Sequence, residues 1–371
     1  MLIYVYGFLL IINFILFLSG RTCKPLAILT EIFVTLFVAG ERLGHVFAWD
    51  QRNYKVNYEN DNDIIEVGYK FCENIGHALN LSYEEFYTGL AIIFMILMLW
   101  GVNRMKTNLH LFLPAFMLYY ITIPGDLVKN FCAFAIFLFF IKYIRFKEKK
   151  DYVLYGLGVV LAALFHPTFL VFLIFYLAAI KKKEFFYKVL AVVVSISSLI
   201  IVLLKQQKVV SRILSSLIAS INTVDKYTKY VSSVTGWSAL AYILLMIAGL
   251  ILVIYWKKSC IEQPRTDGLY DVEAQEQSET AFKIAVIIML LFPFIMVNIT
   301  FYRFFKDILM VEIMYIGINT TYRYVGKGGR FIIGMGAVAI AVGLFYIEIV
   351  ANGYWDNYYL EDMFNNAILR W

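Results

Sequence analysis

Charge is scarce in this sequence. Asp, Glu, Lys and Arg make up 16% of the 371 residues, against about 25% in soluble globular chains. That deficit excludes an ordinary soluble protein of this length. Cysteine is sparse too. The four residues Cys23, Cys72, Cys132 and Cys260 are scattered, and no CxxC pair exists, which excludes a cysteine-built metal site. GxxxxGK[ST], HExxH and GxSxG are all missing, so the sequence has no motif for P-loop nucleotide binding, zinc proteolysis or α/β-hydrolase chemistry. No fixed-period repeat and no soluble domain interrupts the chain. The net charge of +6 does not point to nucleic acid, because the basic residues sit in short links between apolar runs.

What the sequence has is hydrocarbon. Hydrophobic residues make up 61% of the chain, and the mean hydropathy is +0.72. Apolar runs recur over its whole length, so the expectation is a single polytopic domain over 1–371, an all-α integral membrane bundle. One crossing takes roughly 20 residues at about 1.5 Å each. Allowing for short crossings, about 12 spans are expected. They lie near 1–19, 26–41, 84–101, 109–123, 127–144, 152–165, 168–180, 187–204, 236–256, 284–300, 307–320 and 331–350. The first has neither a basic n-region nor an A-x-A site and is read as a helix rather than a signal peptide.

Lys and Arg in short loops set the orientation. Arg21/Lys24, Arg104/Lys106, Lys142–Lys150, Lys181–Lys183 and Arg323–Arg330 fall on alternate turns and are assigned to the cytoplasm. Both termini, the acidic loop 42–83, His166–Pro167, segment 205–235 and Arg303 then lie outside. Cys23 and Cys260 fall inside, Cys72 outside and Cys132 within a span, so no structural disulfide is expected. Segment 257–283, rich in Glu, Gln, Asp and Ser, reads as a flexible cytoplasmic loop. Within 205–235, Val209, Val210, Ile213, Leu214, Leu217, Ile218 and Ile221 follow helical spacing, as expected of an amphipathic segment on the outer leaflet.

The stretch Pro124–Thr168 organises this reading. Phe131–Phe140 and Val153–Phe165 are nearly unbroken apolar runs joined by the basic link Lys142–Asp151. The pair forms a membrane hairpin, which returns His166 to the face where Asp126 and Lys129 begin. A Lys or Asp at the centre of a membrane helix costs about 2.5–3.5 kcal/mol, so such residues are functional candidates by default. Others gather on the same outer face: Glu41 and Arg42; Asp50, Tyr54 and Glu66; Asn130; and Tyr302, Arg303, Lys306 and Asp307. Lys129, Arg303 and Arg42 suit a phosphate or diphosphate, Arg through its bidentate fork and Lys as a point charge. Snorkelling to the headgroups is the structural alternative. His166, whose ordinary pKa is roughly 6.5, and the carboxylates Glu66 and Asp50 are candidate general bases. The alternatives are a structural histidine and solvated loop acids. Tyr54, Asn130 and Tyr302 are candidate glycan contacts.

Read in order, Gly40–Tyr54 (GERLGHVFAWDQRNY), Glu66–Tyr69 (EVGY), Asp126–Asn130 (DLVKN), Leu164–Thr168 (LFHPT) and Tyr302–Phe305 (YRFF) resemble the EpsG-like, Wzy-type family of bacterial polysaccharide polymerases. The family's Arg-Gln pair is Lys129-Asn130 here, which keeps the charge but loses the planar fork. The resemblance implies a GT-C-like glycosyltransferase of the bacterial inner membrane with its active site facing outward. It also implies substrates in the form of undecaprenyl-pyrophosphate-linked oligosaccharide repeats and growing polymer, with undecaprenyl pyrophosphate as the leaving group. No metal or other cofactor is implied. Membrane lipids and a chain-length regulator protein are the other partners, and nucleic acid is not among them. An O-antigen-type ligase or another lipid-linked sugar transferase is the runner-up. A flippase or other transporter fits less well, because its polar groups should lie near the midplane.

Overall fold

In the computed structural model, residues 2–41, 49–60, 66–121, 127–204, 237–262, 272–291, 302–318, 327–350, 360 and 364–369 are described. They are helical, with no strand among them; one isolated antiparallel bridge joins Thr107 to Ile318. Three described helices are long and apolar enough to cross a membrane: Leu2–Ser19, Tyr83–Arg104 and Leu240–Lys258. Shorter apolar helices, Leu109–Tyr120, Pro167–Ala179 and Phe331–Phe345, stand beside them. The second of these compensates for its length. Pro167–Ala179 is wound as a 3-10 helix of 13 residues, and at about 2.0 Å per residue it reaches about 26 Å.

Two segments expected to be loops contain helix. Segment 42–83 holds α3 (Trp49–Glu59) and α4 (Val67–Ala78), after α1 (Leu2–Ser19) and α2 (Lys24–Ala39). Segment 257–283 is mostly helical as well. The amphipathic stretch expected in 205–235 lies outside the described residues.

Local chemistry starts and stops these elements. α5 (Tyr83–Arg104) opens on a capping box in which Ser82 Oγ accepts from the Glu85 amide and the Glu85 carboxylate accepts from the Ser82 amide at 2.8 Å. That satisfies two backbone donors otherwise left open at a helix start. α6 (Leu109–Ala115) continues as a π-helical turn, Phe116–Tyr120. α7 (Val128–Phe140) ends in a 3-10 turn, Ile141–Arg145, and Phe146 takes a left-handed φ of 47°. Asp151 accepts from the amides of Lys147 (2.8 Å) and Glu148 (3.1 Å) and thereby starts α8 (Lys149–Phe165). α7 and α8 thus pair as a helical hairpin. Phe137 packs on Tyr155 and Phe172, and Tyr155 donates to the Phe172 carbonyl at 2.7 Å, binding the hairpin to the 3-10 segment.

The chain continues as α9 (Lys183–Leu204), α10 (Trp237–Glu262), α11 (Val272–Met289), α12 (Tyr302–Gly317) and α13 (Lys327–Phe345). α7 is buried from Val128 to Leu138, and α12 from Phe305 to Ile318 just past its end. These two are the central helices. The end of α5 meets the end of α7, where Arg104 lies over the Phe139 ring and donates to its carbonyl at 3.3 Å. α5 therefore runs parallel to α7. The start of α5, the start of α7 and the end of α8 share one end of the bundle. Tyr87 and Thr88 bring the end of α2 there too, donating to the carbonyls of Val38 and Ala39 at 3.2 Å each.

The other half of the bundle holds a closed polar node. Asn13 donates to the Leu9 carbonyl (2.7 Å) and Thr30 (3.0 Å), so its Oδ1 must accept from His110 Nδ1 at 2.6 Å. The Cys23 amide donates to His110 Nε2 at 3.0 Å. Both ring nitrogens are thus used and the imidazole is neutral. His110→Phe strands two buried groups and should cost about 1–3 kcal/mol. The thermal midpoint of the detergent-solubilised protein reads this; an unchanged midpoint would show that the node contributes nothing.

Candidate functional site

Lys129 lies in the first turn of α7. Its Nζ is 2.6 Å from Glu66 Oε2, and the two side chains are only 10% and 11% exposed. The ammonium also lies 5.3 Å from the ring centres of both Tyr54 and Tyr69, which adds cation–π attraction in a desolvated setting. The cation is thus buried and held, rather than extended to a headgroup. Glu66 immediately precedes α4, and the sequence allows α4 to come close. A Cβ at Gly68 would stand 2.8 Å from the Phe165 ring and 3.1 Å from the Leu164 backbone. The glycine therefore lets the start of α4 pack on the last turn of α8.

His166 follows Phe165 directly. Its Nδ1 is hydrogen-bonded to Thr168 Oγ1, its amide caps α8 on the Ala162 carbonyl at 3.0 Å, and its ring packs on Phe169. Glu66, Lys129, Tyr54 and His166 therefore lie at the same end. Asn130 extends the cluster to α12, where its Nδ2 approaches Asp307 Oδ1 at 3.5 Å. Tyr120 donates to the same Asp307 oxygen at 2.8 Å, and Tyr119 donates to the Lys306 carbonyl at 3.1 Å. The starts of both central helices meet here, and each presents the positive end of its dipole.

Not every candidate can be located. Arg42 lies outside the described residues. Asp50 is carried by the first turn of α3, and Tyr302 and Arg303 by the first turn of α12, but only the backbone is described at these positions. α3 is pinned to this end: Gln51 accepts from Tyr83, Lys55 pairs with Glu84 at 2.5 Å, and Tyr58 donates to the Leu81 carbonyl at 3.0 Å. The tail arrives here as well. Asn366 donates to the Phe37 carbonyl at 2.7 Å, and the Ala367 amide donates to the Gly40 carbonyl at 2.9 Å.

Sequence reasoning missed several members of this end. Tyr69 is fully buried beside Lys129, and burial holds its phenol well above the ordinary range. Glu73 faces inward with no exposed surface, 3.8 Å from Lys70. Tyr120 has no signal in the sequence, since it is one of many aromatics. Glu312 is different. It sits further down α12, packed on Gly249 of α10, and neither carboxyl oxygen has a hydrogen bond among the described residues. Among those residues, no group of three or more His, Cys, Asp or Glu is placed to hold a metal ion.

An all-helical, membrane-embedded bundle with an ionic and aromatic cluster gathered at one end is the class that fold and site define. Residues 26–361 match the family model described as the EpsG family, and the chain belongs to that family. The family is one of polysaccharide-polymerase-type, glycosyltransferase-like enzymes. No curated protein and no solved structure matches the chain.

Proposed function

We propose that this enzyme joins oligosaccharide repeat units carried on undecaprenyl pyrophosphate at the outer face of the bacterial inner membrane. One observation carries the reading. A desolvated ammonium, Lys129, lies beside two phenol rings where the two central helices begin. A cation withheld from water is worth far more to an anion than one in solution.

The acceptor hydroxyl oxygen attacks the anomeric carbon of the donor sugar. The carbon–oxygen bond to phosphate breaks, and undecaprenyl pyrophosphate leaves with the electron pair. Lys129 stabilises the charge that develops on the leaving phosphate, joined by Arg303 and Arg42. Glu66, His166 or Asp50 takes the hydroxyl proton. Tyr54, Asn130 and Tyr302 contact the glycan. Glu66 rests on Lys129 in the free enzyme, so an arriving pyrophosphate competes with it and releases it near the acceptor.

Purified protein reconstituted with a synthetic undecaprenyl-pyrophosphate-linked repeat should yield a ladder on a carbohydrate gel, with no nucleotide sugar added. A single unextended band overturns the reading. Transfer of a preformed long chain to a different acceptor identifies a ligase instead.

A further inference from the structure

α4 has inverted polarity. Its apolar residues point away from the protein: Val67 is 68% exposed, Phe71 65%, Ile75 46%, and Leu79, just past its end, 63%. Tyr69 and Glu73 are fully buried against the bundle, with Lys70 beside them. A helix that hides its acid and shows its hydrocarbon is not facing water. At 12 residues, or about 18 Å, it is also too short to be a crossing.

From Val67, Phe71, Ile75 and Leu79 we infer that the outward face of α4 is the track for the prenyl chain of the carrier lipid. The inference rests on the proposed function for its anionic end. The order of chemistry along the surface carries it. Glu66, immediately before the track, is the residue paired with Lys129, and four apolar side chains follow at four-residue spacing on one helix face. A prenyl pyrophosphate has the same order, charge first and then hydrocarbon. By contrast, the outward-facing Ile93, Ile96 and Trp100 of α5 run toward the opposite end of the bundle, away from Lys129. Bulk acyl chains have no reason to distinguish the two surfaces, whereas a lipid whose head is held at Lys129 does.

The test is photocrosslinking of the full-length protein in vesicles with radiolabelled undecaprenyl pyrophosphate. p-Benzoylphenylalanine is placed at Phe71 or, as a control, at Ile96. Labelling at Phe71 that excess unlabelled undecaprenyl pyrophosphate removes, with labelling at Ile96 that it does not, is the expected result. Equal labelling at both sites, or labelling at Phe71 that resists competition, means contact with bulk lipid and overturns the track. A second variant reads affinity without a photoprobe. The wild type should prefer undecaprenyl over farnesyl pyrophosphate. Phe71→Asn combined with Ile75→Asn should reduce that preference about tenfold, roughly 1.4 kcal/mol, while farnesyl pyrophosphate binding is kept. An unchanged preference refutes the track. Polymer ladders without competed labelling would sink the track alone. Competed labelling without any polymer would sink the polymerase reading and leave the track standing.

Discussion

Lys129→Met should reduce polymer formation by about a hundredfold or more, the size of effect seen when one preorganised charge-stabilising group is removed. Methionine keeps an unbranched stem and deletes the charge. The difficulty is that Glu66 then remains as a buried carboxylate without its cation. Breaking one side of a buried pair costs about 3–5 kcal/mol, so lost activity could reflect lost fold. Lys129→Met combined with Glu66→Gln separates the two effects. With both charges gone the site is neutral, and thermal stability should return most of the way toward wild type while polymer stays absent. Lys129→Arg should keep most of the activity, because it preserves the charge and adds the fork that the family pattern carries at this position. A Lys129→Met strain that makes polymer of normal length and amount would remove this residue from the pyrophosphate site. In that event the pair with Glu66 is a structural clamp between α4 and α7 and nothing more.

The hairpin formed by α7 and α8 was legible because its signal is local: two apolar runs, a basic link, and a length that fixes where the chain returns. The same arithmetic put Lys129 and His166 at one end without any knowledge of packing. α4 was obscured by composition. Its acidic surroundings read as a solvated outer loop, yet Glu73 and Lys70 turn inward. The spacing of Val67, Phe71, Ile75 and Leu79 was the available signal, and all four stand exposed on the surface of the bundle. In segment 257–283 the Glu and Gln residues that suggest a flexible loop also make contacts: Glu276 pairs with Lys147, and Glu279 pairs with Lys257 at 2.5 Å. Asp307 stood out in its charged run near Arg303, but its partner Tyr120 is 187 positions away. No periodicity can report such a contact, because it exists only after α6 and α12 have packed.

Gly101→Leu should leave little correctly folded protein, whereas Gly89→Ala, in the same helix, should be tolerated or slightly stabilising. The contrast follows from what surrounds each position. A Cβ at Gly101 would lie 2.5 Å from the Leu138 carbonyl oxygen, 2.6 Å from its carbon and 2.8 Å from the Phe139 nitrogen. All three are backbone atoms of α7, so no side-chain rotation relieves the clash. Even alanine must push α5 off α7, and leucine adds three more carbons to the same gap. Overpacking typically costs about 1–3 kcal/mol where side chains can move, and here they cannot. Close approach of backbones at small residues is also how membrane helices hold together when burial from water gives them no preference for each other. Around Gly89 nothing lies within 4 Å of such a Cβ. There the substitution only restrains the backbone, a gain of about 0.5–1 kcal/mol for a mid-helix alanine. Size-exclusion yield and thermal midpoint in detergent separate the two variants. If Gly101→Leu ran as a monodisperse peak with wild-type stability, α5 would not pack on α7 as described. Lys129, reached from the α5 side through Tyr69 and Phe86, would then lose the frame that keeps it from water.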